Sequence, residues 1–118
     1  MSKYGFDLDG TLEVPHIAQL ARDLYNAGHE VHVITGANAD TGPWTLESRQ
    51  EQLAYLQVPY TELHRCFGKT LTEIAAAKIT VLKENKIKLM IDDMPEYCRP
   101  MAQAECAQVL FVVRPSLL

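Results

Sequence analysis

Apolar residues along the chain gather into short runs divided by polar and glycine-containing breaks. Tyr4-Gly5-Phe6, Glu30 to Thr35, Ile87 to Ile91 and Val109 to Val113 are β-branched or apolar and read as strands, and Tyr60 to Phe67 reads as a weaker fifth. Between them the spacing becomes helical. Pro15 opens a helix whose apolar face is Ile17, Leu20, Ala21 and Leu24, and Ala27-Gly28 ends it. A second helix is expected over 46–57, with Ser48 and Glu51 in capping-box spacing and Leu53, Ala54 and Leu56 facing the core, until Pro59 stops it. Gly68 breaks the chain, and Thr70 with Glu73 caps an alanine-rich helix to about Asn85. Pro95 begins a last helix to about Ala104, and Pro115 stops the last strand.

Strand and helix alternate, and the strands are nearly continuous apolar runs. That combination predicts an α/β fold: a Rossmann-like three-layer sandwich with a central parallel sheet of about five strands, forming a single domain over residues 1–118. Ligands of such sheets bind at the carboxyl ends of the strands, where strand order reverses. Gly36 to Thr45 is a long connection for that edge, about ten residues where ~2–6 are usual.

Composition narrows the class without naming it. The chain has 118 residues, 47% hydrophobic and 22% charged, enough for one core. A net charge of −4 announces no nucleic-acid or anionic-membrane surface, although a local basic groove remains compatible with it. No apolar run approaches the ~20 residues that span a bilayer, and no signal-peptide pattern is present, so a cytoplasmic location is expected. Cys66, Cys98 and Cys106 have no CxxC spacing and read as small buried hydrophobes. His29, His32 and His64 show no metal-binding spacing and read as structural, His16 as a surface residue, and Glu13 and Glu96 as solvated.

Candidate chemistry begins at Asp7-Leu8-Asp9-Gly10-Thr11. Asp7 and Asp9 lie on one side of an extended segment, and carboxylates this close repel unless a cation compensates. Gly10 permits a sharp turn, and the Thr11 hydroxyl can pin it. The segment alone is equally a surface turn or the start of a calcium loop, but residues 12–18 lack EF-hand ligand spacing. Thr35 and the pair Asp92-Asp93 end two further strands at the same edge. Four carboxylates around one point require a hard cation, and an oxygen-only ligand set favours Mg2+, which shares its coordination readily with a substrate phosphate.

Asp7-Leu8-Asp9-Gly10-Thr11, a strand ending in Thr35, a lysine before the next apolar strand and Asp92-Asp93 closing it together resemble the four motifs of the haloacid dehalogenase-like superfamily, over residues 4–93. The resemblance implies a phosphatase using an aspartyl-phosphate. Asp7 would be the nucleophile, and Asp9 the acid and then the base. Thr35 would bind the phosphoryl oxygens, and Mg2+ would be held by Asp7, the Asp9 carbonyl, Asp92 and Asp93. The lysine would be Lys78, which shares a helix face with Ile74, Val81 and Leu82, or else Lys69. No cap domain fits between the motifs, which implies an open site used for macromolecular or small phosphoesters, or covered by a partner subunit.

Gly10, Thr11, Gly36, Ala37, Asn38 and Trp44 are the candidate substrate contacts, with Asp40 beside them. Trp44 would either stack on a base or sugar or pack on the following helix. The Thr-Gly entry and the loop are similar to the phosphatase domain of polynucleotide kinase/phosphatases, which usually carries Arg where this chain has Ala37. The expected substrate is a small phosphorylated molecule such as a nucleotide or sugar phosphate. A nucleic-acid 3′-phosphate end, a phosphoprotein and a non-catalytic binding module are the alternatives.

Overall fold

The structure, a computed structural model, describes residues 1–113. The stop expected at Pro115 lies outside the described residues. Five strands form one sheet: β1 (Lys3–Phe6), β2 (Glu30–Ala37), β3 (Glu62–Phe67), β4 (Leu89–Asp92) and β5 (Gln108–Phe111), in the order β3-β2-β1-β4-β5. Every pairing is parallel. Four α-helices connect them: α1 (Pro15–Asn26), α2 (Leu46–Tyr55), α3 (Leu71–Glu84) and α4 (Pro95–Gln103).

Alternation along the strands builds two cores. Phe6, Val31, Val33 and Ile91 point to one face, under Ala18 and Ala21 of α1 and Leu53 of α2. Ile34, Cys66 and Met90 point to the other, under Ile74, Ala75 and Leu82 of α3 and Tyr97 and Met101 of α4. The sheet is therefore covered on both sides, the three-layer sandwich expected.

Register positions the functional edge. Phe6, the last residue of β1, pairs with Val33 and Ile91, so β1 stops short while β2 continues to Ala37, still paired with Phe67 of β3. The continuation of β2 and β3 makes a wall beside the end of β1. Strand order reverses at β1, between β2 and β4, so Asp7 emerges at the switch point.

Several local expectations change. β2 runs through Gly36 to Ala37, so the long connection starts at Asn38 and contains a short 3-10 turn, Gly42–Trp44. The cap of α2 is Thr45, whose hydroxyl accepts from the Ser48 N–H; Ser48 is one turn inside the helix and caps nothing. Ala54 is exposed, and the inward position is taken by Arg49. On α1 the inward residues are Ala18 and Ala21, with Leu20 left 39% exposed because small side chains let the helix sit close to the sheet. The Thr70-Glu73 capping box forms as expected.

Candidate active site

Asp7 follows β1, and its N–H donates to the Ile91 carbonyl at 2.9 Å, which fixes it beside the end of β4. Its carboxylate is buried, as are Asp92 and Asp93. One carboxylate oxygen from each of these three residues lies within 4.8 Å of the others. Lys78, fully buried on α3, donates to Asp7 Oδ1 at 3.0 Å and to Asp92 Oδ2 at 2.9 Å. Its ammonium also lies 4.2 Å from the centre of the Tyr97 ring. Lys69, the rival lysine, is exposed, and its backbone N–H is capped by Glu73.

Lys78 is shared by two buried carboxylates, Asp7 and Asp92, and the buried Asp93 carboxylate stands beside them. Burial pushes the Asp7 carboxyl well above the usual carboxylate range; Lys78 opposes that shift, and Asp92 and Asp93 reinforce it. Burial by itself pulls Lys78 down, but Asp7 and Asp92 outweigh it and hold the ammonium above its ordinary value. We read Lys78 as charged and Asp7 as the carboxylate whose ionisation its surroundings oppose most. A divalent cation beside it would favour the ionised form.

The donor set fits a hard cation. It is all oxygen, and the backbone clears space for it: Gly10 has φ 75°, and a Cβ there would come within 2.1 Å of Asp93 Oδ2. The Gly10 N–H donates to Glu13 Oε1 at 2.6 Å, so Glu13 closes the turn rather than being simply solvated. Thr11 Oγ1 donates to Asp93 Oδ1 at 3.3 Å. Gly10 and Thr11, expected to touch substrate, are buried against Asp93 and are not among the residues lining the cleft. The Met94 N–H donates to Asp92 Oδ1 at 3.1 Å, which secures the turn into α4.

A cleft of about 230 Å³ opens over this floor, lined by Asp7, Asp9, Thr35, Gly36, Ala37, Asn38 and Trp44 together with Leu71, Ile74, Met94 and Tyr97. Seven expected site residues thus share one wall-to-wall space. Trp44 is half-buried in its lining, and Arg65 of β3 pins the loop by donating to the Trp44 carbonyl at 3.3 Å and pairing with Asp40. Asp40 does not line the cleft.

Asp9 brings a residue that sequence reasoning missed. Arg49 of α2, only 3% exposed, donates Nη1 to Asp9 Oδ1 at 3.0 Å and Nη2 to Oδ2 at 2.8 Å, and Gln52 Nε2 reaches Oδ1 at 3.2 Å. Partial burial raises the Asp9 pKa, but the Arg49 and Gln52 hydrogen bonds outweigh it and hold the carboxyl below its usual value. In this geometry Asp9 is an anion aimed at a guanidinium. Cys66 and Cys98 play no such part: burial pushes their thiols up to about 11 and about 12, which leaves them protonated at neutral pH.

No protein-family model matches the sequence, and no curated protein does. Among solved structures, the fold is similar to a chain of the Pnkp1/Rnl/Hen1 RNA repair complex, with TM-score 0.76 and 17% identity over 95% of this chain and 42% of that one. A chain in a second structure of the Pnkp1/Rnl/Hen1 complex gives TM-score 0.75 and 17% identity over 95% of this chain and 46% of that one. The chain spans less than half the length of these matched chains. At this identity the likeness is one of fold: an α/β sandwich with a five-stranded parallel sheet.

Proposed function

We infer that the protein is a Mg2+-dependent phosphomonoesterase that forms an aspartyl-phosphate on Asp7. The observation that carries this reading is Lys78, fully buried and bridging Asp7 and Asp92 at the floor of an open cleft. A buried ion pair of this kind is weak as a stabilising device, because apolar residues of the same volume usually do as well. A buried lysine shared by two carboxylates at the floor of a cleft has a chemical use instead.

Asp7 attacks phosphorus, the bond from phosphorus to the ester oxygen breaks, and the phosphoryl group is carried on the Asp7 carboxylate. Lys78 neutralises charge on the nucleophile and the phosphoryl oxygens. Thr35 and the amides of the β2 end offer donors to those oxygens. When protonated, Asp9 gives its proton to the leaving oxygen, then takes one from the water that attacks phosphorus, releasing phosphate and restoring Asp7. Mg2+, held by Asp7, Asp92 and Asp93 with the Asp9 carbonyl, would supply charge stabilisation to the transferring phosphoryl group.

Arg49 sets a condition on this scheme. It favours ionised Asp9, the form needed for the second half-reaction, so substrates with good leaving groups suit this state of the site best.

A nucleic-acid end is the second reading of the substrate. It is supported by the fold shared with a chain of an RNA repair complex and by Trp44 in the lining of the cleft, where an indole can stack on a base. The net charge of −4 and Ala37 weigh toward a small phosphorylated molecule. Rates on nucleotides, sugar phosphates and 3′-phosphorylated oligonucleotides decide between them, with Trp44→Ala as the probe. Stacking of ~1–3 kcal/mol predicts a 5- to 150-fold rise in KM for base-containing substrates and little change for sugar phosphates. A uniform effect on both would remove Trp44 from base recognition. Absence of hydrolysis across the whole panel would favour the binding-module alternative.

A further inference from the structure

At the opposite end of β2 from the cleft, four polar side chains occupy one face of the sheet. His32 on β2 pairs in register with Glu62 on β3, and His64 is the next residue of β3 on that face. His32 Nδ1 and His64 Nε2 are 2.9 Å apart, and His64 Nε2 is 3.4 Å from Glu62 Oε2. The ligand atoms of His32, Glu62 and His64 all lie within 4.8 Å of one another. Parallel pairing brings together histidines 32 residues apart, which no local spacing could announce.

Glu30 selects the tautomer of neutral His32. Its Oε1 lies 2.8 Å from His32 Nε2, and a carboxylate only accepts, so Nε2 carries the proton and Nδ1 presents a bare lone pair. A carboxylate behind an imidazole is the arrangement that fixes a metal-ligating tautomer. Facing that lone pair are the Glu62 carboxylate and the single Nε2 position of His64. One proton on His64 has two acceptors to serve, His32 Nδ1 and Glu62. A cation would serve all three at once.

We propose that His32 Nδ1, His64 Nε2 and Glu62 Oε2 form a zinc-binding site, with Glu30 as the positioning residue and water as the fourth ligand. Two imidazoles and one carboxylate suit zinc better than magnesium. Bonds of ~2.0–2.1 Å place tetrahedral ligands about 3.3 Å apart, and the separations here are 2.9 and 3.4 Å. The two rings are now nearly coplanar, 13° apart, and joined end to end, so the His64 ring must tilt as the bridging proton leaves. Room exists for that movement: His32 is buried, but the side chains of His64 and Glu62 are 17% and 56% exposed on β3, an edge strand. Bound zinc would clip β3 to β2 at the end remote from the cleft.

Calorimetric titration of the full chain with zinc, after chelator treatment and with excess Mg2+ to occupy the acidic cluster, tests the site. One zinc equivalent is expected, retained in Asp93→Asn, weakened at least tenfold in Glu62→Gln and lost in His64→Gln. Co2+ in place of zinc should give the visible absorption of tetrahedral coordination, absent in His64→Gln. Should His64→Gln fail to fold, Glu62→Gln, altered at an exposed carboxylate, decides the matter. Zinc binding unchanged in Glu62→Gln, or no zinc equivalent in the wild type, would overturn the proposal and leave a hydrogen-bonded histidine pair only.

Discussion

Replacing Gly10 by alanine separates two physical effects that meet at this residue. The first is conformational: Gly10 has φ 75°, and an L-residue in the left-handed region loses about 1–2 kcal/mol. The second is steric. The new Cβ would lie 2.1 Å from Asp93 Oδ2 and 2.7 Å from its Cγ, so the whole carboxyl must shift rather than its tip alone, an overpacking effect of about 1–3 kcal/mol. Together they predict a loss of about 2–5 kcal/mol, a large share of the ~5–15 kcal/mol that holds a domain folded. Gly28 is the internal control, because at φ 92° it has nothing within 4 Å of its would-be Cβ. Gly28→Ala therefore carries only the first effect, about 1–2 kcal/mol. Urea unfolding in chelator, at constant m-value, should rank Gly10→Ala below Gly28→Ala. Adding Asp93→Ala should relieve the steric part, giving a coupling of about 1–3 kcal/mol in a double-mutant cycle. Equal losses for the two glycines, or additivity within about 0.3 kcal/mol, would refute the packing of Gly10 against Asp93.

Two further outcomes follow from the electrostatics. Arg49→Met keeps a long side chain under α2 but releases Asp9, so the Asp9 pKa rises and its proton persists to higher pH; the basic limb of the pH–rate profile for an alkyl phosphate should move up, and an unmoved limb would take Asp9 out of the acid role. Asp7 has a raised folded-state pKa, so native protein binds more protons than unfolded chain above the ordinary carboxylate pKa and loses stability as pH rises through that window. Without divalent cation, Asp7→Asn should therefore gain on wild type in urea midpoint as pH rises above about 4. A difference that stays flat with pH would mean that Asp7 ionises freely in the fold.

The floor of the cleft was legible because its signals are local. Asp7 and Asp9 are two residues apart, Asp92 and Asp93 end an apolar run, and Lys78 stands on the helix face of Ile74 and Leu82, where a solvated lysine has no place. Alternation of strands and helices carried the layer order for the same reason. Arg49 was not legible: on a mostly polar helix an arginine reads as solvent-facing, and its partner Asp9 is 40 residues away. Arg65 and Tyr97 were hidden likewise, since their roles depend on the loop and the helix that fold over them. Leu20 misled because hydrophobicity outranks alanine on any periodic pattern, whereas close helix–sheet approach selects Ala18 and Ala21. His32 and His64 needed the strand register, which no residue spacing encodes.

Borohydride trapping at residue 7 tests the central claim most directly. During turnover of an aryl phosphate with Mg2+, quenching with borohydride should reduce an acyl phosphate on Asp7 to homoserine, detected by mass spectrometry of the peptide that contains it. The modification should require both substrate and Mg2+, and Asp7→Asn should neither turn over nor be marked. Turnover that leaves Asp7 unmarked, or that survives in Asp7→Asn, would contradict nucleophilic catalysis by this residue.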